Sequence, residues 1–278
     1  MSFRPFFVAG APKSGTTWLG KLLDAHPEIS CRGEACVHAF TKPLIQISNE
    51  YNALLERRAG AVSESNIFPP MTEADVHSMM RHFIELRLRV IASSGKPGLK
   101  FVGEKDPYHG PNFPILHKLF PEAKYLHIVR DGRSVAVSAW NHNERSLKPG
   151  QRGPTFDTFM NDTAKMWGDM LQHTLKAVPS LGRNYLEIRY ESLIADPLGG
   201  FSQILNHLEA DSSESVVQAC VEAASFEKLS KGRAQGQEDK GSFYRKGIAD
   251  DWKNQMTPAQ IQRFNARSGG MLEELGYQ

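Results

Sequence analysis

Phe6-Phe7-Val8-Ala9-Gly10-Ala11-Pro12-Lys13-Ser14-Gly15-Thr16-Thr17-Trp18 decides the fold: a short apolar strand runs through a glycine-containing turn into an amphipathic helix. The first turn of a helix leaves its amide donors unpaired and carries the positive end of the helix dipole. The arrangement is therefore a cradle for an anion, phosphate above all. Gly10 and Gly15 are spaced as in a nucleoside-triphosphate loop, yet Thr16 stands where that loop needs lysine, and Lys13 sits inside the turn instead. The stretch reads as a phosphate loop, but not as one for ATP hydrolysis.

Strand candidates at 6–10, 99–103, 124–129 and 185–189 alternate with helical patterns at 38–58, 73–93, 155–176, 197–208, 213–223 and 257–275. Such alternation predicts an α/β fold: three layers, α/β/α, with a central parallel sheet and the P-loop-like turn, spanning 1–278 as one domain. Ligands of such sheets sit beyond the carboxyl ends of the strands. The glycine- and charge-rich segments 144–154 and 230–250 read as loops that close over a site.

A second anion station follows the third strand. Arg130 leaves its carboxyl end, and Ser138 lies about one helical turn beyond Ser134, the expected N-cap, so both converge on one anion. Two stations imply a nucleotide phosphorylated at two places, and ATP has no group for the second.

Composition sets bounds. Lysine plus arginine number 33 against 31 for aspartate plus glutamate, a net charge of +2, which leaves no general field for nucleic acid or membrane. No run of 18 apolar residues predicts a membrane span, and the first residues lack the pattern of a secretory signal. Three cysteines, Cys31, Cys36 and Cys220, suit a reducing compartment, so a cytoplasmic location is expected. The histidines are scattered without metal-ligand spacing, and no metal is expected.

The Pro12–Trp18 loop resembles that of the sulfotransferase family, which uses 3′-phosphoadenosine 5′-phosphosulfate (PAPS) as sulfonate donor and releases 3′,5′-adenosine bisphosphate (PAP). The resemblance implies that Lys13 contacts the phosphosulfate and its bridging oxygen. Ser14, Gly15, Thr16 and Thr17 would hold the 5′-phosphate, with Trp18 near the adenine. The family's R-x7-S spacing assigns Arg130 and Ser138 to the 3′-phosphate, and Arg245-Lys246-Gly247-Ile248-Ala249-Asp250-Asp251-Trp252-Lys253 is similar to its R-K-G-x-x-G-D-W-K segment. Arg245, Lys246 and the Gly247 amide would complete that clamp. Asp250 replaces a glycine there, which puts the turn in question, because glycine often serves positive φ. Tyr190, Ser225 and Phe226 match segments that contact the base.

Catalysis needs a base to activate an acceptor hydroxyl. The histidine of the cytosolic enzymes' K-T-H segment is missing from Glu104-Lys105-Asp106-Pro107. Leu23-Asp24-Ala25-His26-Pro27 and Cys31-Arg32-Gly33-Glu34 instead resemble the tyrosylprotein and bacterial branch, which implies Glu34 as base and Lys105 as stabiliser of the transferring sulfonate. His109 and Glu104 stand as reserve bases.

Three readings compete: a PAPS-dependent sulfotransferase, a P-loop kinase or NTPase, and a nucleotide-binding protein without catalysis. Thr16 argues against the second, and the presence of Lys13, Glu34 and Lys105 against the third. The resemblance to the tyrosylprotein branch does not extend to a membrane anchor, so a small-molecule hydroxyl or amine is the expected acceptor, with carbohydrate or peptide tyrosine as the alternative. A homodimer is left open.

Overall fold

A computed structural model describes residues 3–61, 68–93 and 95–277. The elements run β1 (Arg4–Ala9), α1 (Thr16–Asp24), β2 (Ile29–Arg32), α2 (Val37–Ala61), α3 (Glu73–Ala92), β3 (Phe101–Lys105), α4 (His109–Leu119), β4 (Lys124–Val129) and α5 (Gly132–Ser146). There follow α6 (Phe156–Leu181), β5 (Tyr185–Arg189), α7 (Tyr190–Ala195), α8 (Pro197–Leu208), α9 (Glu214–Ala223), α10 (Phe226–Leu229), α11 (Pro258–Arg267) and α12 (Met271–Glu274). The strands form one sheet in the order β2-β3-β1-β4-β5, every neighbouring pair parallel.

Strand alternation supplies both layers of cover. On β1, Phe6 and Val8 pack with Leu19, Leu22 and Leu23 of α1 and with Phe201 and Leu205 of α8. Phe7 and Ala9 face the other way, into a core shared with Ile84 and Leu88 of α3 and Phe113 and Leu116 of α4. A third cluster, centred on Trp167 of α6, joins α5 to the C-terminal helices through Val135, Phe264 and Leu272. The three-layer α/β/α architecture is thus the one the alternating pattern implies.

The connection leaving β1 runs outward to β2 on one side, and the one leaving β4 runs to β5 on the other, so adjacent strands β1 and β4 diverge at their carboxyl ends. A crevice opens at such a switch point. The loop after β1 and the turn after β4 are the two places where anion stations are expected.

Several boundaries differ from the sequence expectation. The strand expected at 99–103 is Phe101–Lys105, so Lys105 closes β3 instead of following it. β2 was not among the four strand candidates: its Ile29-Ser30-Cys31-Arg32 is only four residues long and lies at the sheet edge. Helix α5 starts at Gly132 with Asp131 as N-cap, accepting from the Arg133 amide at 2.8 Å, and Ser134 is already inside the helix. The helix expected at 257–275 breaks at Gly269 and Gly270, with φ of 66° and 81°. Residues 230–250 contain no regular element, as expected of a loop.

Candidate active site

One cavity of about 660 Å³ opens at the switch point. Lys13, Gly15, Thr16, Thr17 and Trp18 line it from the phosphate loop, Arg130 and Ser138 from the second station, Tyr190, Ser225 and Phe226 from the expected base site, Arg245, Lys246 and Gly247 from the third segment, and Glu34 from the β2 end. Of the residues expected at the site, Ser14 and Lys105 are not in the wall. Ser14 is buried beneath the loop, and Lys105, 8% exposed, reaches the cavity through Glu34.

The phosphate loop is held by its own geometry. Gly15 caps α1 with φ 99°, and Lys13 also takes a positive φ, 73°. A Cβ at Gly15 would lie 2.6 Å from a ring carbon of Tyr190, so both the turn and the close approach require glycine. The Arg130 guanidinium lies 4.2 Å above the Tyr190 ring and donates to the Lys13 carbonyl at 3.0 Å, which ties both anion stations to the expected base site. Ser14 Oγ, Ser134 Oγ and Arg130 Nε are buried without a protein partner, and all three belong to the two stations. Buried polar atoms of this kind fit a ligand that brings acceptors. The sequence reading took Ser134 for a cap and missed it as a candidate contact.

Trp18 Nε1 donates to the Ala224 carbonyl at 3.0 Å, and its ring meets Tyr190 edge-on with centroids 6.0 Å apart. Ser225 caps α10, accepting from the Lys228 amide at 3.4 Å. Gly247, φ 66°, packs so tightly that a Cβ would come 2.3 Å from the Phe226 ring. Asp250 does adopt the conformation expected of the glycine it replaces, with φ 58° and ψ 11°. The third segment holds a feature absent from the sequence reading. Arg245 bonds both Glu238 and Asp251, and Lys246 Nζ lies 2.7 Å from the Asp251 carboxylate, so the cations of the expected clamp share a buried internal anion. Burial pushes the Asp251 carboxyl upward, but bonds from Lys246 and Arg245 more than offset this and hold it below the usual range.

At the β2 end, Glu34 accepts from the Lys105 ammonium at 2.5 Å. Burial, reinforced by the nearby Arg145 charge and opposed by Glu34, lowers the Lys13 ammonium to about 8. Arg145 belongs to a group that the sequence reading missed: Ser138, Asn141, His142 and Arg145 all line the cavity. Their spacing of three, four and seven from Ser138 is one stripe of α5, and that periodicity was the available signal. Tyr108 and Phe243 add exposed aromatic surface to the same wall. The reserve bases fall outside the wall. His109 is fully buried and its Nε2 bonds the Glu104 carboxylate.

Sheet order, switch-point cavity and glycine turn define an α/β protein with a phosphate-loop-like turn and the residues of the expected anion stations around one pocket. Residues 3–276 match the Sulfotransferase domain, and the chain belongs to that family. Protein-tyrosine sulfotransferase 2 of Gallus gallus is 27% identical over 212 residues, covering 76% of this chain and 52% of that one. Protein-tyrosine sulfotransferase A of Caenorhabditis elegans is 29% identical over 217 residues, 74% of this chain and 50% of that one. The chain thus spans about half the length of the relatives it matches. Among solved structures, a mouse sulfotransferase complexed with PAP superposes with a TM-score of 0.62 at 20% identity, covering 99% of this chain and 85% of that one. A Mycobacterium avium sulfotransferase gives 0.56 at 14% identity, covering 100% and 78%. These two share the fold.

Proposed function

We propose that the chain transfers a sulfonate group from PAPS to an acceptor hydroxyl and releases PAP. The observation that carries this is the convergence on one cavity of the phosphate loop, Arg130 with Ser138, and Arg245 to Gly247, together with Glu34, which is paired to Lys105. PAPS supplies the activated sulfonate. Lys13 and the loop amides face its 5′ side, where negative charge grows as the bond to the bridging oxygen breaks, while Arg130, Ser138 and Lys246 hold the 3′-phosphate. Glu34 takes the acceptor proton, and Lys105 both orients that carboxylate and neutralises the sulfonate oxygens. The residues accommodate the nucleotide: unpartnered Arg130 Nε, Ser14 Oγ and Ser134 Oγ offer donors to phosphate oxygens.

For the acceptor we favour the phenol of a protein tyrosine over the small molecule expected from sequence, a reading supported by similar proteins that are named protein-tyrosine sulfotransferases. The exposed rings of Tyr108 and Phe243, which line the same cavity as Glu34, support a phenolic guest. Transfer of labelled sulfonate to a tyrosine peptide, compared with transfer to simple alcohols, tests this choice. Labelling of the alcohols alone would return the acceptor to the small-molecule class.

Binding tests the donor half separately. PAP is expected to bind more tightly than AMP or ATP, because only PAP reaches both stations, and Arg130→Ala is expected to remove most of the difference. A charge-assisted bond is worth about 1.5–3 kcal/mol, roughly 10–100-fold in affinity. Equal calorimetric affinities for PAP and AMP would eliminate the 3′ clamp.

A further inference from the structure

Glu104 and His109 lie outside the cavity, yet they are among the most deeply buried polar residues described, at 1% and 0% exposure. Their neighbours explain why this matters. Consecutive strand residues point to opposite faces of a sheet. In register, Glu104 lies beside Phe7 and Lys105 beside Val8. Lys105 reaches the Glu34 carboxylate, whereas Glu104 accepts the Ala35 amide at 2.7 Å through Oε1 and bonds His109 Nε2 through Oε2. Two consecutive residues of β3 thus grip two consecutive residues of the β2–α2 connection: Lys105 takes the side chain of Glu34, and Glu104 takes the main chain just after it.

We infer that Glu104, braced by His109, is a positioning residue that fixes the loop carrying Glu34 and so sets the direction of its carboxylate. Glu34 and Cys36 on either side of Ala35 are exposed, and Gly33 just before them packs against Lys105, so the described anchors of this segment lie on β3. The brace is itself rigid. His109 is the first residue of α4 and meets the Phe7 ring edge-on at 5.4 Å, which limits the ring's freedom to turn. Burial alone would raise the Glu104 carboxyl. The charge of and bond to His109, the Ala35 amide and Lys105 together outweigh it and favour the ionised form, whose bond to a backbone amide is the stronger kind. Losing both side-chain oxygens leaves a buried His nitrogen and the Ala35 amide unpaired.

The inference rests on Glu34 being the base, and a mutant cycle separates the two claims. Glu104→Gln keeps an acceptor for the Ala35 amide, so kcat stays near the starting value. Glu104→Leu removes the acceptor and is expected to lower kcat by about 10²-fold, as a misplaced catalytic group does, with PAP affinity unchanged. In a Glu34→Gln background, Glu104→Leu should add little further loss, because the group it positions is already gone. A full additional loss in that background overturns the positioning role, and unaltered turnover in Glu34→Gln alone overturns the base assignment and the inference with it. Amide exchange in the unmutated protein is independent of both variants and decides the matter if Glu104→Leu does not fold. The Ala35 amide should exchange more slowly than those of Glu34 and Cys36, and equally rapid exchange at all three rules out the brace.

Discussion

Glu34→Gln is expected to lower turnover by ~10²–10⁴ while changing PAP affinity far less. Glu34 acts on the nucleotide stations only through its charge, which supports the Lys13 ammonium, and its described side-chain partner is Lys105. The substitution keeps the shape and removes the basic oxygen, so the loss should fall on kcat. It should shrink for an acidic phenol, which ionises with less help, whereas Lys105→Ala should impair acidic and ordinary acceptors alike by exposing sulfonate charge. Kinetics with a series of phenols of falling pKa measure this directly. A constant loss across the series would remove Glu34 from the proton transfer and leave it as an anchor for Lys105.

Lys13→Ala is expected to cost ~10²–10³ in turnover, the usual loss for one donor to a developing anion, and to change the pH dependence of binding. Burial and Arg145 disfavour the Lys13 charge and lower its ammonium from the ordinary 10.5 to about 8. The sign follows. Below pH 8 the group is charged and attracts the nucleotide, and as pH rises through 8 the proton leaves and affinity falls. A bound dianion restores the charge, so binding above pH 8 should take up a proton. Calorimetry in buffers of different ionisation heat detects that uptake, which the Lys13→Ala variant should lack. Affinity flat between pH 7 and 9.5 in the unaltered protein would contradict a lowered Lys13 ammonium.

How far the sequence reached depends on which contacts are local. The phosphate loop was legible because its strand, turn and helix are contiguous, and Gly15 needs its positive φ whatever surrounds it. The clamp residues were legible through motif spacing, although the stacking of Arg130 on Tyr190 joins residues 60 apart and has no local signature. The α5 stripe could have been read by extending helical spacing from Ser138 through Asn141, His142 and Arg145. The pairing of Glu104 with His109 could not. Both looked like spare bases because five residues separate them, and only the burial of β3 and α4 together turns them toward each other and away from the cavity. β2 escaped notice because an edge strand of four residues with serine and arginine carries little periodicity.

The carboxylate that Arg245 and Lys246 share has a thermodynamic consequence. Because Asp251 already pairs with both cations, and Glu238 with one of them, a nucleotide arriving there exchanges one anionic neighbour for another and does not meet bare charge. Affinity at that station is then a difference between two ion-pair arrangements, and departure of the product returns the cations to a partner already in place. The salt dependence of PAP binding should accordingly be shallower than the number of facing cations suggests, and Asp251→Asn should steepen it. An unchanged slope in that variant would mean that Asp251 and the nucleotide do not compete for the same charges.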